Sequence, residues 1–134
     1  AQVLDAIGVT PNSYRLVDGS GLSRQNLASP EAIVQLLSAM ARSPYRDLYQ
    51  NSLPLAGRSG TLANRFQNTP LAGRLRAKTG TMTGVSALAG YLDHPEWGPI
   101  AVSLMVDHAT APTADLRQAM DQAIGWLDQA RSCP

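Results

Sequence analysis

Four consecutive residues, Lys78-Thr79-Gly80-Thr81, gather groups that assist acyl transfer. An ammonium at a strand end supplies a positive field and donates hydrogen bonds to a neighbouring serine hydroxyl. A threonine hydroxyl binds a substrate carboxylate. Glycine, with no Cβ, lets a substrate backbone approach the strand. The Thr81 amide beyond it is suited to an oxyanion hole, where one preorganised N–H lowers a barrier by about 3 kcal/mol. Lys78 is the single lysine among 11 basic residues, the others all being arginine. The plainer reading of the same four residues is an exposed strand-end lysine beside a turn glycine.

Other candidate groups are weaker. Ser20, in Asp18-Gly19-Ser20-Gly21-Leu22-Ser23, sits between glycines, but Leu22 stands where a G-x-S-x-G elbow needs its second glycine. A turn held by serine and aspartate side chains is the better reading there. Gly57-Arg58-Ser59-Gly60-Thr61 is a glycine-bounded loop that either lines a pocket through Arg58 or starts a short helix with Thr61 as N-cap. By the two-residue strand period, Arg74, Arg76 and Lys78 fall on one face and call for anionic partners, which for Arg74 are expected to be acidic side chains. His94 and His108 are the only histidines and have no second ligand at metal-binding spacing. Cys133 is the only cysteine, so it forms no internal disulfide and lacks the electropositive setting of a reactive thiolate.

The elements that must position these groups follow from periodicity. The 134 residues suffice for one domain with its own core. A formal charge of +1, with 16% charged and 44% hydrophobic residues, suits a soluble globular protein. The scattered arginines offer no basic patch for nucleic acid. No apolar run approaches the roughly 20 residues of a membrane span. No signal peptide is present in the chain, so an export signal is expected to be removed or to lie upstream.

Residues 1–8 read as the end of a helix closed by Gly8, and residues 13–17 as an extended piece leading into the Gly-rich turn. Ser29 as N-cap, Pro30 at the first helical position and Glu31 announce a helix to about Arg42, with Ile33, Leu36, Leu37 and Met40 along it. Residues 43–70 read as irregular apart from a short helix over 61–66. From Gly73 the period becomes two. Strands are predicted over 74–79, 85–92 and 99–107, with a turn at 81–84 and a loop at 93–98. Pro112 opens a last helix whose stripe is Leu116, Met120, Ala123, Ile124 and Leu127. The second and third strands are apolar on both faces, so both faces of the sheet are expected to be covered. The last helix covers one, and the other falls to the helix from Pro30 or to something outside this chain.

In order, Val17-Asp18-Gly19-Ser20-Gly21-Leu22-Ser23-Arg24, the helix after Ser29-Pro30, Leu53-Pro54-Leu55-Ala56-Gly57 with Ser59-Gly60-Thr61-Leu62, Arg76-Ala77-Lys78-Thr79-Gly80-Thr81-Met82-Thr83-Gly84-Val85 and Leu88-Ala89-Gly90-Tyr91 cover nearly the whole chain. This series resembles the C-terminal part of the serine D-Ala-D-Ala carboxypeptidases, the class C low-molecular-mass penicillin-binding proteins. The resemblance implies an α/β (α+β) transpeptidase/β-lactamase-like fold, three antiparallel strands packed with helices. It also implies a serine of S-x-x-K that is acylated by the penultimate D-Ala. By motif, Lys78 resembles the K-T-G lysine that supports the S-x-N serine, Thr79 the carboxylate ligand, and Thr81 an oxyanion donor, with Gly80, Met82, Arg58 and Arg76 beside the substrate. No metal or organic cofactor is implied. The implied partners are a peptidoglycan stem peptide ending in D-Ala-D-Ala and β-lactams, and the implied location is the periplasm or cell envelope.

The family's other two motifs are missing. Leu75 stands three residues before Lys78, and no serine is followed two places later by asparagine. Residues 1–134 are therefore expected to be one C-terminal segment of a larger catalytic domain, inactive alone, with the N-terminal remainder of its own protein as partner. The alternatives are a non-catalytic peptidoglycan-binding or assembly module that keeps the fold, and a β-lactamase or esterase relative.

Overall fold

The computed structural model describes residues 2–132. Cys133 lies outside them. The architecture is a three-stranded antiparallel sheet with one helix across each face, and a small two-stranded ribbon to one side. The chain runs through α1 (Gln2–Ala6), β1 (Tyr14–Arg15), β2 (Leu27–Ala28), α2 (Pro30–Ala41), α3 (Arg46–Ser52) and a 3-10 turn over Gly60–Leu62. Then come β3 (Leu75–Met82), β4 (Val85–His94), β5 (Gly98–Val106) and α4 (Thr113–Gln129). The sheet order is β3-β4-β5. The mixed α/β class and the three antiparallel strands agree with the sequence reading.

Register fixes what each face carries. Leu75 pairs with Leu92, Ala77 with Gly90, Thr79 with Leu88 and Thr81 with Ser86, so these residues share a face. On that face lies the main core, where Leu75, Ala77, Leu88, Leu92 and Val102 meet Met120 and Ile124 of α4. The opposite face carries Arg76, Lys78, Gly80 and Met82 on β3, and Tyr91 on β4. There α2 packs, tied by the Tyr91 hydroxyl, which donates to the Leu37 carbonyl at 2.7 Å. Ser29 caps α2 as its sequence predicts, its Oγ accepting from Ala32 N–H at 3.0 Å. Both faces are thus covered from within the chain. Among the described residues, no strand pairs with the far edge of β5.

The structure corrects several local readings. The stretch read as irregular holds α3, a helix with no buried residue and so no apolar stripe to announce it. The ribbon strand β2 pairs only two residues with β1, too short for a period to show. The helix expected over 61–66 is a single 3-10 turn, and Ser59 rather than Thr61 stands at its N-cap. Arg74 precedes β3 and leaves the face of Arg76 and Lys78. It reaches α4, where its guanidinium meets Asp128 at 2.7 Å and also donates to the Asp93 and Pro70 carbonyls. The acidic partner expected for Arg74 is therefore found, but on the other side of the sheet.

Gly90 sets the distance between β3 and β4. A Cβ there would fall 2.0 Å from the Arg76 carbonyl oxygen and 2.6 Å from Ala77 Cα, both backbone atoms that cannot swing aside. In the protein that carries this chain, Gly90→Ala should destabilise by about 3 kcal/mol, read as a shift in urea midpoint at unchanged slope. Tyr91 provides a second test. Burial, with a further contribution from Tyr49 nearby and opposition from Arg46, raises its phenol from 10.0 to about 12. The unfolded chain ionises first, so this contribution to stability is complete below pH 10 and is lost as pH rises to about 12. Urea titrations across that interval should show a shallower loss for Tyr91→Phe than for the wild type.

Candidate active site

The Lys78-to-Met82 half of β3 is an open strand edge, and its opening is controlled by the residues before it. The Ala77 amide donates outward to the Pro54 carbonyl, and the Leu75 carbonyl accepts from Ala56 N–H, both at 2.9 Å. Leu55 forms an isolated bridge with Arg76. Residues 54–56 therefore seal the edge as far as Ala77. Alternate residues of an antiparallel strand turn both backbone groups to the same side. By that alternation, the amides and carbonyls of Thr79 and Thr81 face outward, where no backbone partner meets them among the described residues. Lys78 is exposed, and its Nζ donates to the Thr79 carbonyl at 2.5 Å, which holds the ammonium against this edge.

The side chains of Thr79 and Thr81 project to the α4 face. There they line a cleft of about 1200 Å³ between α4 and the loop around residues 61–71. Thr79 Oγ1 donates to Thr61 Oγ1 at 2.9 Å. Arg117 of α4 approaches Thr81 Oγ1 at 3.5 Å. Thr61 and Arg117 were not singled out as site residues from sequence. Thr61 reads as a helix cap, and Arg117 reads as one polar position on an amphipathic helix. Arg24, from the Gly-rich segment, donates to the Thr83 carbonyl at 2.9 Å and so ties that segment to the turn after β3.

The predicted site residues are brought together in part. Lys78, Thr79, Gly80, Thr81 and Met82 form the free half of the strand, and Arg76 lies beside Lys78 on the α2 face. A Cβ on Gly80 would only touch Ala87 Cβ at 3.4 Å, so nothing inside the chain demands glycine there. Arg58 is placed elsewhere. Its guanidinium packs over Gly73, where a Cβ would come within 3.2 Å of it. That is five residues before Lys78, roughly 16 Å along an extended chain.

Ser20, Ser23 and Ser59, the serines of the two glycine-bounded loops, are engaged structurally. Ser20 Oγ donates to Asp18 Oδ1 at 2.8 Å and accepts from Leu22 N–H at 3.1 Å. That bond to Ser20 is the largest of the effects that hold the Asp18 carboxyl below its ordinary pKa. Ser59 Oγ accepts from Leu55 N–H at 2.9 Å, and Ser23 Oγ from Gln25 N–H at 3.2 Å. Neither histidine joins them. His94 is buried and stacks on Trp97 at 4.2 Å between ring centroids, with Nε2 against the Leu127 carbonyl at 3.1 Å. His108 is exposed beside Asp107. The arrangement offers a cation, two hydroxyls and outward amides on one strand edge but, among the described residues, no serine bonded to a lysine or a histidine.

Comparison with known proteins identifies the family and the fold. Residues 1–130 match the D-Ala-D-Ala carboxypeptidase 3 (S13) family. The D-alanyl-D-alanine carboxypeptidase of Actinomadura sp. (strain R39) is 43% identical over 116 residues, which are 83% of this chain and 21% of that protein. The D-alanyl-D-alanine carboxypeptidase DacB of Haemophilus influenzae is 33% identical over 101 residues, 74% of this chain and 21% of its own. The crystal structure of penicillin binding protein 4 (dacB) from Haemophilus influenzae superposes with a TM-score of 0.83 at 28% identity, over 95% of this chain and 30% of that one. The chain spans about a fifth of the length of these curated relatives. From the open K-T-G strand, the fold around it and a match over nearly its whole length, the chain belongs to the D-Ala-D-Ala carboxypeptidase 3 (S13) family.

Proposed function

We propose that this chain is the K-T-G-bearing segment of a serine D-Ala-D-Ala carboxypeptidase or endopeptidase that trims peptidoglycan peptides in the cell envelope and is acylated by β-lactams. The observation that carries this reading is the half-sealed edge of β3, closed to Ala77 and open from Lys78 to Met82. An extended peptide laid along that edge pairs with the outward groups of Thr79 and Thr81, as a strand added to a sheet. In the reaction, a serine of an S-x-x-K motif attacks the penultimate D-Ala carbonyl. The terminal D-Ala leaves with a proton, and water then releases the acyl group. The Thr81 amide stabilises the oxyanion, Thr79 holds the substrate carboxylate, and Lys78 supports the S-x-N serine with its charge. Gly80 leaves room for the substrate backbone, while Met82 and Arg76 border it. Arg58, anchored over Gly73, is left out of this assignment.

The nucleophile comes from sequence outside residues 1–134, which form one segment of a larger catalytic domain. Two features support that division. Among the described residues no strand pairs with the outer edge of β5 along its 9 residues, though both sheet faces are covered. Large apolar side chains also stand in solvent, Leu22 and Leu48 at 74% and Trp126 at 70% exposure. Without an activated serine this chain makes no acyl-enzyme alone.

The test treats the full-length protein and the isolated chain with a labelled penicillin and maps the adduct by peptide mass. The expected adduct is on an upstream serine of the full-length protein, with none on the isolated chain. Lys78→Ala should slow full-length labelling about a hundredfold. An adduct on Ser20, Ser23 or Ser59 would overturn the assignment, and no adduct on either protein would leave a non-catalytic module.

A further inference from the structure

The cleft beneath Thr79 and Thr81 contains charges that are paired, with one exception. Asp121 of α4 is bonded to Arg65 by two of its guanidinium nitrogens, Nε and one Nη. Asp128, in the last turn of α4, is bonded to Arg74. Arg117, on the same helix and lining the same cleft, makes no ion pair among the described residues. Its one polar contact there is Thr81 Oγ1 at 3.5 Å, the outer limit of a hydrogen bond. A guanidinium stays charged at any working pH, and its planar fork suits a carboxylate. Asp121 and Asp128, the acids that line the same cleft, are already held by other arginines.

We infer that Arg117 is a carboxylate-recognition residue of the K-T-G site, drawing the C-terminal carboxylate of the substrate onto the Thr79–Thr81 hydroxyls from the α4 side. This rests on the reading of the site given above. The two hydroxyls lie on one strand face roughly 7 Å apart, and Thr61 engages the first of them while Arg117 stands at the second. A carboxylate that enters between them meets hydroxyl donors on the strand and an uncompensated cation on the helix. The long, exposed side chain of Arg117 already stands 3.5 Å from Thr81 Oγ1. Arg117 thus gives the site a preference for a peptide that ends in a free carboxylate over one that does not.

The experiment uses the full-length protein, Arg117→Gln and Arg117→Lys. Each is measured for acylation by a labelled penicillin, and for kcat/KM on a peptide ending in D-Ala-D-Ala and on the same peptide as its C-terminal amide. For Arg117→Gln the preference for acid over amide should fall about tenfold, or 1.4 kcal/mol, mainly through KM, and the effect should shrink in high salt. Arg117→Lys should restore most of it. An active, labelled wild type whose Arg117→Gln variant loses equally on both peptides, or loses nothing on the acid, sinks this inference alone. A wild type that takes no label and cleaves neither peptide sinks the underlying reading and this inference with it.

Discussion

A strand at the edge of a sheet leaves a backbone N–H and C=O unpaired at every second residue, and a fold must either satisfy these groups or use them. In this chain the division is made within one strand. Up to Ala77 the outer edge of β3 is bonded to residues 54–56. From Lys78 onward it meets no backbone partner among the described residues. The position of that switch depends on the short loop Leu53-Pro54-Leu55-Ala56-Gly57, which is itself pinned by Gly57 N–H to the carbonyls of Leu62 and Arg65. Proline suits its place there, because Pro54 lacks an amide and contributes only the carbonyl that Ala77 needs. The loop that ends the sealed half also brings Thr61 to Thr79.

Keeping the strand in place is the work of the α4 face. Leu75 and Ala77 are fully buried there, and the face changes from aliphatic to hydroxyl at Thr79, where α4 draws away and the cleft opens. Two arginines bind this helix to the rest, Arg65 through Asp121 and Arg74 through Asp128. Asp128 is nearly buried, and a partly buried pair of this kind is valuable chiefly because breaking it leaves a charge uncompensated. Arg74 adds bonds to two carbonyls, so the start of β3, the end of β4 and the last turns of α4 are locked at one point. The free end of β3 is therefore a rigid projection from a locked base, which suits a preorganised amide better than a loop would.

Much of this was legible in the sequence where one physical signal dominated. Ser29-Pro30-Glu31 marked the start of α2, and the change of period after Gly73 marked all three strands to within a few residues. Lys78 stood out because its type is used once. What escaped was set by tertiary contact. The α3 helix carries no apolar stripe, and β2 is held by its partner alone. Strand period put Arg74 on the face of Lys78, but the residue lies outside the ladder, where its long side chain follows Asp128 instead. Thr61 looked like a cap because threonine before a short helix usually is one; its hydroxyl is used across the sheet edge. Arg117 carries no local signal at all, since its setting exists only once α4 lies beside β3.

The two edges of the sheet answer the same constraint in opposite ways. The open half of β3 carries a lysine, two threonines and a glycine, residues that discourage casual strand pairing and leave backbone groups accessible to a chosen peptide. The outer edge of β5 runs Pro99-Ile100-Ala101-Val102-Ser103-Leu104-Met105-Val106, with no charge in it and a proline only at its start. Such an edge, 9 residues long and set between covered faces, is an aggregation hazard when left bare. In the proposed larger domain its composition fits burial against further strand, whereas that of β3 fits the reversible occupation proposed for it. On the reading proposed above, one sheet grows in one direction by folding and in the other by binding, with the chemistry on the binding side.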